Sequence, residues 1–202
     1  DKGLQMTSRI EVAKADLRPL RPAGTADSAA PLPLTLTARV AVSNRTIDFD
    51  DLDARLGGTT LHGRLAVVGP KVSGALDADT LDAAPLIAAA IGMPVTGKSN
   101  GAAWTWSSDP FAGGLFGDRS GEIAFKARQA ALLPRFTARE FRAALHLKSN
   151  GLAVDNITGT LAGGRLTGAL SFQSGQDGVK THAAFSLAGA DAASMLPSGA
   201  RP

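Results

Sequence analysis

The segment Pro33-Leu34-Thr35-Leu36-Thr37-Ala38-Arg39-Val40-Ala41-Val42-Ser43 decides the fold. With Leu32 ahead of it, Leu34, Leu36, Ala38, Val40 and Val42 make an unbroken apolar row, while Thr35, Thr37, Arg39 and Ser43 fill the other phase. A helix turns about 100° per residue and would scatter that row around its circumference, whereas a strand sets it on one side. The same alternation runs through Leu4, Met6, Ile10 and Val12, and through Leu61, Leu65 and Val67. It returns at Ile123 and Phe125, and at Phe141, Ala143, Leu145 and Leu147.

Glycine-containing turns separate these runs at Gly57-Gly58, Gly69-Pro70, Asn150-Gly151, Gly163-Gly164 and Gln173 to Gly178. Connections this short predict antiparallel neighbours joined by hairpins. Two segments read as short helices. Residues 82–91 open on Asp82, carry Pro85 in the first turn and stop at Gly92; residues 191–196 stop at Pro197. Arg18 to Pro33 holds four prolines among small and polar residues and reads as a surface linker.

The chain is written twice. At an offset of 105 residues, Leu36 to Leu65 lies over Phe141 to Leu170 without a gap: Asp50 meets Asp155, Leu56 meets Leu161, Gly58 meets Gly163, and Leu61 meets Leu166. Gly63 then meets Gly168 and Leu65 meets Leu170, with Val40 over Leu145 and Ile47 over Leu152 in phase. After four inserted residues in the later hairpin, Asp82-Ala83-Ala84 falls over Asp191-Ala192-Ala193. A repeat of this length is a duplicated group of strands rather than one solenoid turn. The boundaries read as 1–97 and 98–202, two units that could equally form one continuous structural domain.

Composition narrows the function classes. The chain has 202 residues, a net charge of +3, 44% hydrophobic and 19% charged residues, so it can build a core and is no disordered tail. It has no Cys, which removes disulfides, thiolate zinc sites and cysteine nucleophiles. The longest apolar run, residues 83–91, is far short of the roughly twenty residues a bilayer crossing needs. The chain begins at Asp1 inside an alternating pattern and reads as a piece of something longer, with any anchor elsewhere.

Each half carries one glycine phrase, Leu56 to Leu65 (LGGTTLHGRL) and Leu161 to Leu170 (LAGGRLTGAL). Its first glycines suit positive φ in a tight hairpin, and its later one, Gly63 or Gly168, lies inside a strand where a missing Cβ permits a bend or a close approach. Together with ALDADTLDAAPL at Ala75 to Leu86 and WTWSSDPF at Trp104 to Phe111, these phrases resemble the AsmA family of Gram-negative envelope proteins, in its C-terminal AsmA-like region. The resemblance implies a periplasmic region of an inner-membrane-anchored protein, with the anchor outside this chain. It implies outer-membrane biogenesis, and similarity to bridge-like lipid transfer proteins whose curved sheet forms an apolar trough. It brings no catalytic residues.

The candidate chemical motifs read differently. Gly92-Met93-Pro94-Val95-Thr96-Gly97-Lys98-Ser99 matches the phosphate-binding pattern G-x-x-x-x-G-K-[ST], but it follows a helix-like segment and precedes the strand-like Ala102, Trp104 and Trp106, the reverse of the required context. Asp48, Asp50, Asp51 and Asp53, and Asp77, Asp79 and Asp82, lack the spacing of a calcium loop and read as acids on a solvated face and at a helix cap. His62, His146 and His182 have no partner at metal-ligand spacing, so no metal and no cofactor is expected. No G-x-S-x-G nucleophile elbow occurs, and the expectation is that this is not an enzyme. Trp104, Trp106 and Phe111 read as a plug between the halves rather than a lipid-contacting rim.

The expected fold is therefore mainly β: two related antiparallel units forming strongly twisted or curved sheets, with short helices near 82–91 and 191–196. A sheet must bury at least one apolar face, which can meet another sheet, fold on itself or stay open as a trough. Composition does not choose; the resemblance favours the trough. The function expected is non-enzymatic handling of phospholipid or another envelope lipid, with other envelope proteins as further partners. The lipid-contacting candidates are Leu34, Leu36, Val40, Val42, Phe141, Leu145 and Leu147. Arg128, Arg135, Arg139 and Arg142 are candidates for anionic headgroups, against the plainer reading of a solvated sheet face. Nucleic acid is excluded for want of stacking aromatics and a binding motif. The alternative is a structural or protein-interaction module with a closed core and no lipid.

Overall fold

The computed structural model describes residues 5–16, 33–56, 58–83, 119–133, 136–175 and 178–191. Ten strands take up nearly all of them: β1 Gln5–Asp16, β2 Pro33–Ser43, β3 Thr46–Leu56, β4 Thr59–Val68, β5 Lys71–Asp82, β6 Ser120–Leu133, β7 Phe136–Lys148, β8 Gly151–Leu161, β9 Gly164–Gly175 and β10 Gly178–Ala188. They lie in chain order in a single sheet that is not closed, with β1 and β10 as its edges. The fold is mainly β, as the alternating rows predict.

Eight of the nine strand pairs are antiparallel, and the five expected glycine-containing turns each fall between two paired strands. β5 and β6 run parallel, from Lys71 beside Ser120 to Asp82 beside Ala131, so the sheet passes without a break through the middle of the chain. A parallel pair needs a crossover instead of a tight turn, and turn residues give no sign of it. The Pro70 carbonyl accepts a hydrogen bond from the Ser120 N–H at 3.0 Å where this pair begins.

Two turns fall one residue from their expected place and a third is shorter than expected. Leu161 pairs with Gly164, leaving Ala162 and Gly163 as the loop, both at positive φ (49° and 77°), the requirement of the two-residue turn that matches strand twist. Gly164 is instead the first residue of β9, where a Cβ would collide with the backbone of Ala190. Asn150 closes a turn and Gly151 starts β8 against Phe172. The turn expected over Gln173 to Gly178 is shorter, since Gln173 to Gly175 and Gly178 belong to strands.

The pairing registers repeat at the offset seen in the sequence. Thr46 faces Val68 and Leu56 faces Thr59; 105 residues on, Gly151 faces Gln173 and Leu161 faces Gly164. In β3 one extra residue interrupts the pairing with both β2 and β4, between Phe49 and Leu52, and in β8 one extra residue does so between Val154 and Ile157. Asp51 and Asn156 hold these bulges at φ 50° and 54°. Asp and Asn tolerate the left-handed region better than other residues with a Cβ, because their short polar side chains bond locally.

The expected helix over 82–91 lies outside the described residues beyond Ala83: Asp82, its expected cap, is the last residue of β5, with its N–H donating to Thr59 Oγ1 at 3.3 Å, and Ala83 after it has helical geometry. The helix over 191–196 also lies outside them except for Asp191, whose N–H donates to the Ala162 carbonyl at 2.9 Å. The linker up to Leu32, the phosphate-loop pattern at 92–99 and the aromatic segment 104–111 fall outside the described residues too.

Candidate functional site: an apolar face across ten strands

Directly paired residues of neighbouring strands share a face of the sheet. Following the pairs from β1 to β10 gives Ser8, Val40, Phe49, Leu65, Gly74, Ile123, Leu145, Val154, Leu170 and Ala183. A second row, two residues along, reads Met6, Val42, Ile47, Val67, Val72, Gly121, Leu147, Leu152, Phe172 and Thr181. At about 4.8 Å per strand each row is about 43 Å long. Both cross the parallel β5–β6 pair without changing character.

Beyond the bulges the same face continues through Leu36, Ala54, Leu61, Ala78, Ala127 and Phe141. The two bulges are what keep it in phase. An extra residue flips every later side chain of its strand unless the strand spends that residue out of register, as β3 and β8 do at Asp51 and Asn156. Apolar spacing alone does not reveal this step, but the Asp-Asp and Asp-Asn pairs at 50–51 and 155–156 are the sequence signal for it.

All seven lipid-contacting candidates stand on this face. Val40, Phe141 and Leu147 are buried in its apolar cluster, and Leu34, Leu36, Val42 and Leu145 are partly buried against it. Burial fades toward the edges: Met6 and Ile10 on β1 and Phe185 on β10 are exposed.

The reverse face is polar. One of its rows runs Glu11, Thr37, Asp53, His62, Asp77, Lys126, Arg142, Thr158, Thr167 and Ser186. Acids crowd β3 to β5 and bases β6 and β7, so opposite charges meet where β5 pairs with β6. There Arg128 holds Asp79 Oδ1 through Nε at 3.0 Å and Nη2 at 2.7 Å. Arg39 holds Asp51 at 2.7 Å beside the β3 bulge. These pairs are exposed, and such pairs contribute at most about 1 kcal/mol each.

The headgroup candidates are thus separated from the lipid-contacting ones. Arg142 belongs to the polar row, and Arg128 and Arg139 follow the buried Ala127 and Ala138 on the exposed side. Arg135 lies outside the described residues. A cleft of about 580 Å³ on the polar side is lined by Asp50, Asp51, Asp53, His62, Arg64 and Asp77. Among the described residues no group of three or more His, Asp and Glu has a metal-binding arrangement. His62 stands 3.8 Å from Asp53, and His146 lies 3.9 Å from Glu122 and 3.7 Å from Asp155, loose contacts on the solvated side.

No protein-family model, curated protein or solved structure matches the chain.

Proposed function

We propose that this chain is a non-enzymatic lipid-handling module of the bacterial envelope: the periplasmic, AsmA-like part of an inner-membrane-anchored protein, acting in outer-membrane biogenesis or phospholipid transfer. It consists of two related units, 1–97 and 98–202, laid side by side in one curved sheet whose apolar face takes up acyl chains. One observation carries the reading. Two rows that are apolar from β2 to β9, but for one glycine in each, cross a ten-stranded sheet that is neither closed nor paired with a second sheet among the described residues. Each methylene such a face takes from water contributes about 0.8 kcal/mol. The family resemblance of the two glycine phrases and of Ala75 to Leu86 supports the same reading. Acyl chains lie along the face that bears Leu34, Leu36, Val40, Val42, Phe141, Leu145 and Leu147, and headgroups remain at the strand ends, since the arginines Arg128, Arg139 and Arg142 stand behind the sheet.

Photo-crosslinking tests this face by face. A benzophenone amino acid at Leu36, Val42 or Leu145, all partly buried, is expected to capture phospholipid from vesicles or from the cells that express the protein. The same probe at Thr37, Asp53 or Arg142 on the reverse face is expected to capture none. Native mass spectrometry of the purified chain reads the same occupancy. A lipid-free protein whose two faces crosslink alike would sink the proposal in favour of a closed interaction module.

A further inference from the structure

The two edges of the sheet correspond to the two strands that meet in its middle. Leu61 pairs with Ala78, and Leu166, 105 residues on, pairs with Leu187, which puts β10 in the place of β5. Val42 pairs with Met6, and Leu147 pairs with Gly121, which puts β1 in the place of β6. The molecule therefore displays, on opposite edges and unpaired among the described residues, the two halves of a parallel junction it already contains once.

We infer that the β10 edge of one molecule adds to the β1 edge of a second copy of this chain, parallel and in the register of the β5–β6 pair. Gly74–Ile123, Leu76–Phe125 and Ala78–Ala127 transpose to Ala183–Ser8, Phe185–Ile10 and Leu187–Val12. Phe185, 54% exposed, then covers Ile10, 40% exposed, and the apolar face runs on from one molecule into the next. On the reverse face His182 falls beside Thr7, Ala184 beside Arg9 and Ser186 beside Glu11, with no like charges opposed. β10 carries little defence against pairing, with no proline and a single Lys, Lys180, at its far end. β1 has the charges Arg9, Glu11, Lys14 and Asp16 and a bulge between Val12 and Ala15, but the bulge lies past the stretch that would pair and the charges leave Ile10 and Val12 bare.

Two features of the internal junction are missing, and they make the contact a weak one. Gly121 lets the β6 backbone close on the Val72 carbonyl, and its counterpart is Met6, so pairing starts at Thr7. The Asp79–Arg128 ion pair has Ala188 and Ala13 as its counterparts. The two contact surfaces differ, so the interface is heterologous and propagates into a chain or ring instead of stopping at a two-fold dimer. This inference stands apart from lipid binding and is tested on delipidated protein.

Sedimentation velocity over rising concentration is expected to show a weight-average mass that climbs past the dimer. Ile10→Lys and Phe185→Lys change exposed side chains, keep the β circular-dichroism spectrum, and each remain monomeric alone. Mixed in equal amounts they form a heterodimer and nothing larger, because one variant retains its β10 edge and the other its β1 edge. Register is read by disulfides, since the chain has no Cys of its own. Ser8→Cys mixed with Ala183→Cys crosslinks under mild oxidation, and Thr7→Cys mixed with Ala183→Cys does not. A wild-type protein that stays monomeric overturns the inference. So does an Ile10→Lys variant that still dimerises, the mark of a symmetric β10–β10 contact.

Discussion

Asp51 bulges β3 in the first half of the sheet and Asn156 bulges β8 in the second, at φ values four degrees apart (50° and 54°). The registers on either side of them agree residue for residue at an offset of 105. The side chains around this shared backbone diverge. The outward face of β3 carries Asp48, Asp50, Asp51 and Asp53, while β8 keeps Asp155 alone of these. The β9–β10 hairpin is four residues longer than the β4–β5 one, and β7 has a further bulge at Glu140, φ 51°, that β2 lacks. What the halves hold in common is where the chain turns and where it steps out of phase. Those steps decide which side chains share a face, and the polar surface is free to vary.

The largest predicted difference between the halves lies on the apolar face itself. Phe141 is buried, and Leu36, its counterpart, is only partly so. Phe141→Ala is expected to cost about 3–5 kcal/mol in urea unfolding and Leu36→Ala about 1–2 kcal/mol, since the loss scales with the contacts and cavity left behind. Equal losses would mean that the two halves bury this face to the same depth.

The glycines inside β4 and β9 sharpen the comparison. At Gly63 a Cβ would run into the backbone carbonyl of Ala75, with φ at +147°. At Gly168 it would first meet the ring of Phe185, a side chain on an edge strand, and then, less closely than at Gly63, the backbone carbonyl of Ala184. Gly63→Ala is expected to cost about 3 kcal/mol and Gly168→Ala about 2 kcal/mol. In dilute protein, adding Phe185→Ala should recover part of the second loss and none of the first. Recovery at Gly63 would show that its neighbour strand yields more easily than the close approach of the backbones implies.

Much of this was legible in the residues. The row Leu34, Leu36, Ala38, Val40, Val42 lies on one face as its spacing dictates, because a strand's period of two leaves no other arrangement. The seven apolar candidates come together for the same reason. The β5–β6 pair was not legible: a crossover leaves no turn signature, and nothing in Lys71 to Asp82 or Ser120 to Leu133 says that the two strands run the same way. The separation of the arginines from the apolar row follows from the same alternation. Arg128, Arg135, Arg139 and Arg142 group by proximity in the chain, where only odd and even positions matter.

The smallest predicted effect concerns the bulges, and it tests whether they are equivalent in energy as well as in register. A residue at φ near 50° needs either no Cβ or a short polar side chain that bonds its own backbone. Valine has neither, so Asp51→Val and Asn156→Val should each cost about 1–2 kcal/mol, while Asp51→Asn and Asn156→Asp should change stability by less than about 0.5 kcal/mol. Asp51 also accepts the Arg39 guanidinium at 2.7 Å, which Asn156 has no equivalent for, because Ala144 stands where Arg39 would be. The pair is exposed, so raising the salt concentration should erase whatever excess Asp51→Val shows over Asn156→Val. An excess that survives high salt would place the difference in the backbone, and the two bulges would then be alike in geometry without being alike in strain.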